Sequence, residues 1–211
     1  MFITFEGPDG GGKTSQIQAL AGFLREKGYH IVTTREPGGT EIGDQVRQIL
    51  MRLDNTSMHP RTEILLFLAA RAQLVEQCIR PELARGTIVL CDRYADSTLA
   101  YQGYGHGVDL GQLRLLLNFA TGNLWPDLTL LLDIDAEEGL QRRRSGGDWN
   151  RLDAYALAFH KRVRQGYHEM TRQEPQRWVM IDASQPFDDV QSHIREVVMQ
   201  RLPDRAASQS E

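Results

Sequence analysis

The chain has 211 residues, with 24 basic and 28 acidic side chains giving a formal net charge of −4. That length suits one α/β domain with a substantial core and is short for two. The acidic balance excludes a molecule-wide basic field that would steer the protein onto nucleic acid, so any bound anion must be held by a local cluster.

Cys78 and Cys91 lie far apart without metal-ligand spacing, which fits buried thiols in a reducing compartment better than a disulfide framework. The opening "MFITFEG" lacks a basic leader, and no apolar run approaches membrane-spanning length. A soluble, cytoplasmic protein with no membrane partner is expected.

Five short β-rich runs recur: Phe2 to Glu6, His30 to Thr34, Thr87 to Asp92, Leu128 to Asp133 and Trp178 to Asp182. Stretches of helical period separate them. Leu20, Phe23 and Leu24 precede a stop at Gly28, and Leu113, Leu116, Leu117 and Ala120 follow an Asp109 cap with Gln112 three residues on. Strands alternating with helices imply a parallel sheet covered on both faces, with ligands at the carboxyl ends of its strands. One domain over residues 1–202 is expected, and the tail "PDRAASQSE" from Pro203 reads as frayed.

Between the first strand and a helical pattern lies "GPDGGGKT", which satisfies G-x-x-x-x-G-K-[ST] as Gly7, Gly12, Lys13 and Thr14. Glycines let consecutive N–H groups curl inward as a nest, and the new helix adds the positive end of its dipole. Residues Gly7, Pro8, Asp9, Gly10, Gly11, Gly12, Lys13 and Thr14 are therefore expected to cradle the polyphosphate of ATP. Lys13 would reach the β- and γ-phosphates, and the Thr14 hydroxyl would be a ligand of Mg²⁺. Asp9 is a carboxylate inside an anion-binding loop, a position that needs a compensating cation or a second-substrate hydroxyl, although Asp is also an ordinary turn residue.

"TTREPGGT" places Arg35 at the second strand end, and "TIVLCDRYADSTLAYQG" ends the third with Asp92, Arg93 and Tyr94. Asp92 suits Mg²⁺ or its water network, and Arg93 can bind a phosphate through two N–H bonds; a strand-capping ion pair is the alternative. In "ILLFLAARAQ", Phe67 and Arg71 share a helix face four residues apart. Spacing alone favours a core Phe beside a solvated Arg.

Arg142, Arg143 and Arg144 end a helical stretch, followed by Gly146, Gly147 and Arg151 on what reads as the next helix. This stretch, about 142–151, has the makings of a short arginine-rich lid with glycine hinges, supplying charge to a transferring phosphoryl group and excluding water. "NRLD" at Asn150 to Asp153 looks like a guanine-reading motif, but it does not end an apolar strand and carries Arg in place of Lys, which counts against a GTP-dependent switch.

"FITFEGPDGGGKT", "TREPGGT", "LLFLAARAQ" and "DRYADSTLAYQG", in this order, resemble the bacterial thymidylate kinases, and the similarity runs from Met1 to about residue 200. The resemblance implies an α/β fold of the P-loop NTPase type in three layers: a five-stranded parallel sheet, helices on both faces and the lid. It implies transfer of the γ-phosphoryl of ATP to dTMP, with Mg²⁺, in a homodimer; a kinase of the same fold acting on another nucleoside monophosphate such as dUMP is the rival. It puts Phe67 against the thymine face, Arg71 near O4, Arg93 on the 5′-phosphate with Arg35 assisting, Asp9 near the 3′-hydroxyl, and Ser97, Tyr101 and Gln102 around base and sugar. With no arginine at Gly10 or Gly11, the sequence resembles the form whose catalytic arginine is in the lid, implying Arg151 and one of Arg142 to Arg144 as candidates, with Arg143 the choice among the three, alongside Lys13, Arg93 and Asp92. Two departures from the family pattern are Thr14-Ser15 after the lysine and Asn150 before Arg151.

Overall fold

In the computed structural model, which describes residues 1–146 and 149–202, β1 (Phe2–Glu6), β2 (Ile31–Arg35), β3 (Ile88–Asp92), β4 (Leu128–Asp133) and β5 (Trp178–Asp182) form one parallel sheet of order β2-β3-β1-β4-β5. The expected hinge Gly147 and the tail from Pro203 lie outside the described residues. Strand positions match expectation to within one residue; β2 runs to Arg35 and starts after His30. Register pairs Phe5 with both Asp92 and Leu130, so β1 and β3 end side by side while β4 runs on to Asp133.

Alternation along the strands splits the core in two. Ile3, Phe5, Leu90, Leu130 and Leu132 face α1 (Lys13–Glu26) and α9 (Phe187–Arg201). Phe2, Val89, Cys91, Leu131 and Trp178 face α3 (Pro60–Leu74), α6 (Leu110–Thr121) and α8 (Leu157–Gln173). Of the remaining helices, α2 (Glu41–Met51) packs on α3, and the short α4 (Arg80–Ala84) and α5 (Ala95–Thr98) flank two π-helical segments, Val75–Ile79 and Leu99–Gly105. α7 (Ala136–Gly146) follows β4 and carries the three arginines.

Local signals act as expected at α6, where the Asp109 side chain accepts from Gln112 N at 2.8 Å. The helix face differs at one position: Leu113, Leu117 and Ala120 are buried, but Leu116 is 40% exposed and joins Leu115 and Phe119 on the outer face. A stripe of four leucines around Leu113 to Leu117 wraps more of the helix than one face can bury.

Candidate active site

The loop after β1 turns on glycines with positive φ, Gly7, Gly10 and Gly12, the last capping α1 with φ 76°. Gly10 is further constrained by its neighbour: an added Cβ would lie 2.2 Å from the carbonyl oxygen of Gly139 on α7. The reverse holds as well, since a Cβ on Gly139 would lie 2.2 Å from the Asp9 carbonyl oxygen. Backbone therefore packs directly on backbone between the loop and the helix that leads to the lid, and any side chain at position 10 is excluded.

Lys13 begins α1 and donates from Nζ to the carbonyls of Pro8, at 2.7 Å, and Gly7, at 3.2 Å. Burial and the nearby Arg93 pull its pKa down to about 8 against Asp9, Asp92 and Glu6, so its charge is held at high electrostatic cost. Thr14 Oγ1 donates to Asp92 Oδ2 at 2.5 Å, joining the helix start to the end of β3.

Arg93 follows β3 with φ 66°, a left-handed backbone that a residue with a Cβ adopts only where its surroundings impose it. Its N–H donates to the Phe5 carbonyl at 3.0 Å. Nη2 donates to Asp9 Oδ1 at 2.6 Å and Nη1 to the Gly7 carbonyl at 3.1 Å, while Tyr101 OH donates to Asp9 Oδ2 at 2.5 Å. Burial alone would raise the Asp9 pKa; Arg93, Lys13 and the Tyr101 hydroxyl overcome it and hold the carboxyl far below the usual range.

A second layer sits beneath. Glu6, at the buried end of β1, accepts from Tyr94 N at 2.7 Å, Ser97 Oγ at 2.6 Å and Tyr167 OH at 2.8 Å. Burial first, then the neighbouring Asp96, push its pKa up to about 7 despite Arg93. The sequence signal for Glu6 was available, as the one charged residue of a largely apolar strand. Tyr167, from α8, carried none.

Arg71 is 1% exposed. Nε donates to Glu36 Oε2 at 2.7 Å, Nη1 to Thr98 Oγ1 at 3.0 Å and Nη2 to the Tyr94 carbonyl at 3.0 Å, leaving Nη1 a second N–H. The core-and-solvent alternative for Phe67 and Arg71 is thus reversed for the arginine, which is fixed inside the protein. Arg35, by contrast, is well exposed and pairs loosely with Asp44 at 3.7 Å.

Asp9, Lys13, Thr14, Arg35, Phe67, Arg71, Asp92, Arg93, Ser97, Tyr101 and Gln102 all line one cavity of about 900 Å³, together with Arg142 and Arg143. Arg143 is gripped by Asp153 through Nε at 3.3 Å and Nη2 at 2.9 Å, and Arg142 donates to the Ala183 carbonyl and to Glu138. Arg144 stacks over Trp149 at 5.2 Å.

Arg151 departs from expectation on two counts. It lies in turns that precede α8, not on a helix, and it is 6% exposed and does not line the cavity. Nη2 donates to Glu63 Oε2 at 2.5 Å, Nε to the Leu50 carbonyl and Nη1 to Tyr155 OH. In this conformation the Arg151 guanidinium is spent on Glu63, Leu50 and Tyr155 away from the cavity, whereas Arg93, as fully hydrogen-bonded, lines it. The spacing of arginines could not distinguish Arg151 from Arg143, because the carboxylate it meets, Glu63, is 88 residues away in the chain.

A glycine loop of the pattern G-x-x-x-x-G-K-[ST], joined to an Asp9–Arg93 pair at the edge of a cavity of about 900 Å³, is the setting in which known proteins compare closely. A family model described as Thymidylate kinase matches residues 5–194. The thymidylate kinase of Thermomicrobium roseum is 58% identical over 186 residues, covering 88% of each chain, and that of Roseiflexus sp. (strain RS-1) is 50% identical over 210 residues, covering 94% of this chain and 93% of its own. The crystal structure of the Ehrlichia chaffeensis thymidylate kinase superposes with a TM-score of 0.78 at 34% identity, covering 94% of this chain and 98% of that one. The chain belongs to the thymidylate kinase family, whose reaction is the ATP-dependent phosphorylation of dTMP to dTDP.

Proposed function

We propose that, in phosphorylating dTMP, this chain seats the ATP phosphates on residues 7–14 and the acceptor nucleotide between Asp9, Arg35, Phe67, Arg71, Arg93, Ser97, Tyr101 and Gln102. The observation that carries this is convergence: residues from the ends of β1, β2 and β3, from α3 and from the base of the lid all line one cavity. Phe67 offers a ring to the base, and the remaining N–H of Arg71 Nη1 is available to the O4 carbonyl. Arg93 addresses the 5′-phosphate, with Arg35 free to swing in from its exposed position, and Asp9 accepts from the 3′-hydroxyl.

The acceptor is already an anion, so no strong general base is needed, and the loose transition state asks for positioning and positive charge. Lys13 holds the β- and γ-phosphates. Arg143, set at the cavity wall by Asp153, takes the lid role in place of Arg151, with Gly146 at the end of α7 as a hinge. Thr14 and Asp92 present a hydroxyl and a carboxylate side by side, an oxygen donor pair that fits Mg²⁺ bound otherwise by water and phosphate. Such an ion, when bound, supplies charge neutralisation between the phosphates.

The working form is a homodimer in the cytoplasm. Leu65 on α3 is 60% exposed, and Leu115 and Phe119 on the adjacent α6 are 73% and 90% exposed, a row of large apolar side chains suited to a second copy. Free Cys78 and Cys91 accord with a reducing compartment. An ADP-release assay across a panel of nucleoside monophosphates tests the acceptor; preference for a base other than thymine would refute the assignment of Phe67, Arg71 and Gln102 to this base.

A further inference from the structure

Glu63, on α3, is 1% exposed and touches none of the phosphate-binding groups. Its Oε1 accepts from Gln102 Nε2 at 2.8 Å; its Oε2 accepts from Arg151 Nη2 at 2.5 Å and Tyr155 OH at 3.2 Å. Carboxylate oxygens in an ion pair only accept, so the end of the Gln102 amide that faces Glu63 is its NH₂. The carbonyl oxygen of Gln102 must then point elsewhere, and it accepts no side-chain hydrogen bond among the described residues, while Gln102 lines the cavity beside Phe67 and Arg71.

We propose that Glu63 is a positioning residue for base specificity. By fixing the amide of Gln102, it makes the pocket present an acceptor to the base, which selects an N3–H, as in thymine, over an N3 lone pair, as in a cytosine-type base. This deepens the dTMP assignment and rests on its placing of Gln102 against the base. An unrestrained glutamine amide turns over by 180° and serves either base equally. Opposite a carboxylate it cannot turn over without losing a charge-assisted hydrogen bond and setting oxygen against oxygen. Glu63 is itself held by Arg151, which is anchored to the Leu50 carbonyl at 2.9 Å. The base pocket, the end of α2 and the turn after the lid therefore share one buried carboxylate.

Glu63→Gln is the decisive variant, because a glutamine at 63 pairs with either orientation of Gln102. The readout is the ratio of kcat/KM for dTMP to kcat/KM for 5-methyl-dCMP, in the wild type, Glu63→Gln and Gln102→Ala. Both variants are expected to lower the ratio by about tenfold or more, a change that loss of folded protein alone does not produce because it scales both substrates alike. A lowered ratio in Gln102→Ala with the wild-type ratio in Glu63→Gln would overturn the role of Glu63. An unchanged ratio in Gln102→Ala would overturn the placing of Gln102 against the base, and the proposal with it. Should Glu63→Gln not fold, NMR of the wild type with dTMP bound decides: contacts from the Gln102 amide protons to the Glu63 γ-methylene support the fixed orientation, and their loss on binding refutes it.

Discussion

Arg93 and Asp9 meet at 2.6 Å, and Tyr101 bridges them, donating to Asp9 Oδ2 at 2.5 Å and accepting from Arg93 Nη2 at 3.2 Å. Arg93 is also the cation nearest the buried Glu6 network, through Ser97 and Tyr167. Arg93→Ala should therefore act twice. It should raise the KM for dTMP far more than the KM for ATP, and it should lower stability by about 3 kcal/mol by leaving Asp9 without its ion-pair partner. Steady-state kinetics and thermal melts on the same preparation separate the two effects; an intact apparent affinity for dTMP would refute the acceptor-phosphate assignment.

Arg143 and Arg151 should part company in kinetics. Arg143→Ala is expected to reduce kcat by about 100-fold with small changes in either KM, the pattern of a charge felt in the transition state. Arg151→Ala strands Glu63 and should lower stability by about 3 kcal/mol. A larger kcat loss in Arg151→Ala than in Arg143→Ala, per folded molecule, would return the catalytic role to Arg151.

The backbone contact between Gly10 and Gly139 seats the glycine loop directly on α7. Gly139→Ala adds a Cβ 2.2 Å from the Asp9 carbonyl oxygen, and a rigid backbone must shift to admit it. A rise in the KM for ATP of at least about fivefold is expected, since a shift of the loop costs roughly 1 kcal/mol or more in phosphate binding. An unaltered KM for ATP would show that the loop and α7 move independently.

Glu6 gives stability a pH dependence of unusual sign. Its pKa is about 7 in the fold against an ordinary 4.5, so between these values the native state holds a proton that the unfolded chain has lost. Stability from this group is full below pH 4.5, falls as pH rises towards 7, and is flat above. The difference in Tm between wild type and Glu6→Gln should shift against the wild type across that window; a constant difference would exclude a buried carboxyl that takes up a proton.

Lys13 behaves in a complementary way. With its pKa drawn down to about 8 in the free protein, a bound triphosphate restores the charge, so ATP binding should take up protons at pH 8 to 9 and weaken as pH rises above 8. Calorimetry in buffers of different ionisation enthalpy measures the uptake, and its absence in Lys13→Ala identifies the group.

Much of this was local and therefore legible. The strand ends, the glycine loop and the Asp109 cap follow from alternation, from the need for positive φ and from short-range hydrogen bonding, all of which act within a few residues. The fold class, and through resemblance the family, followed from their order. What only the tertiary structure decided depends on partners brought from afar. Arg151 turns away from the cavity because Glu63 lies opposite it, Leu116 faced outward because α3, α5 and the segment at 99–105 cover only one side of α6, and the orientation of Gln102 is imposed by a carboxylate 39 residues away. Sequence specifies which charges exist; burial and pairing across the sheet determine which of them are left to meet a substrate.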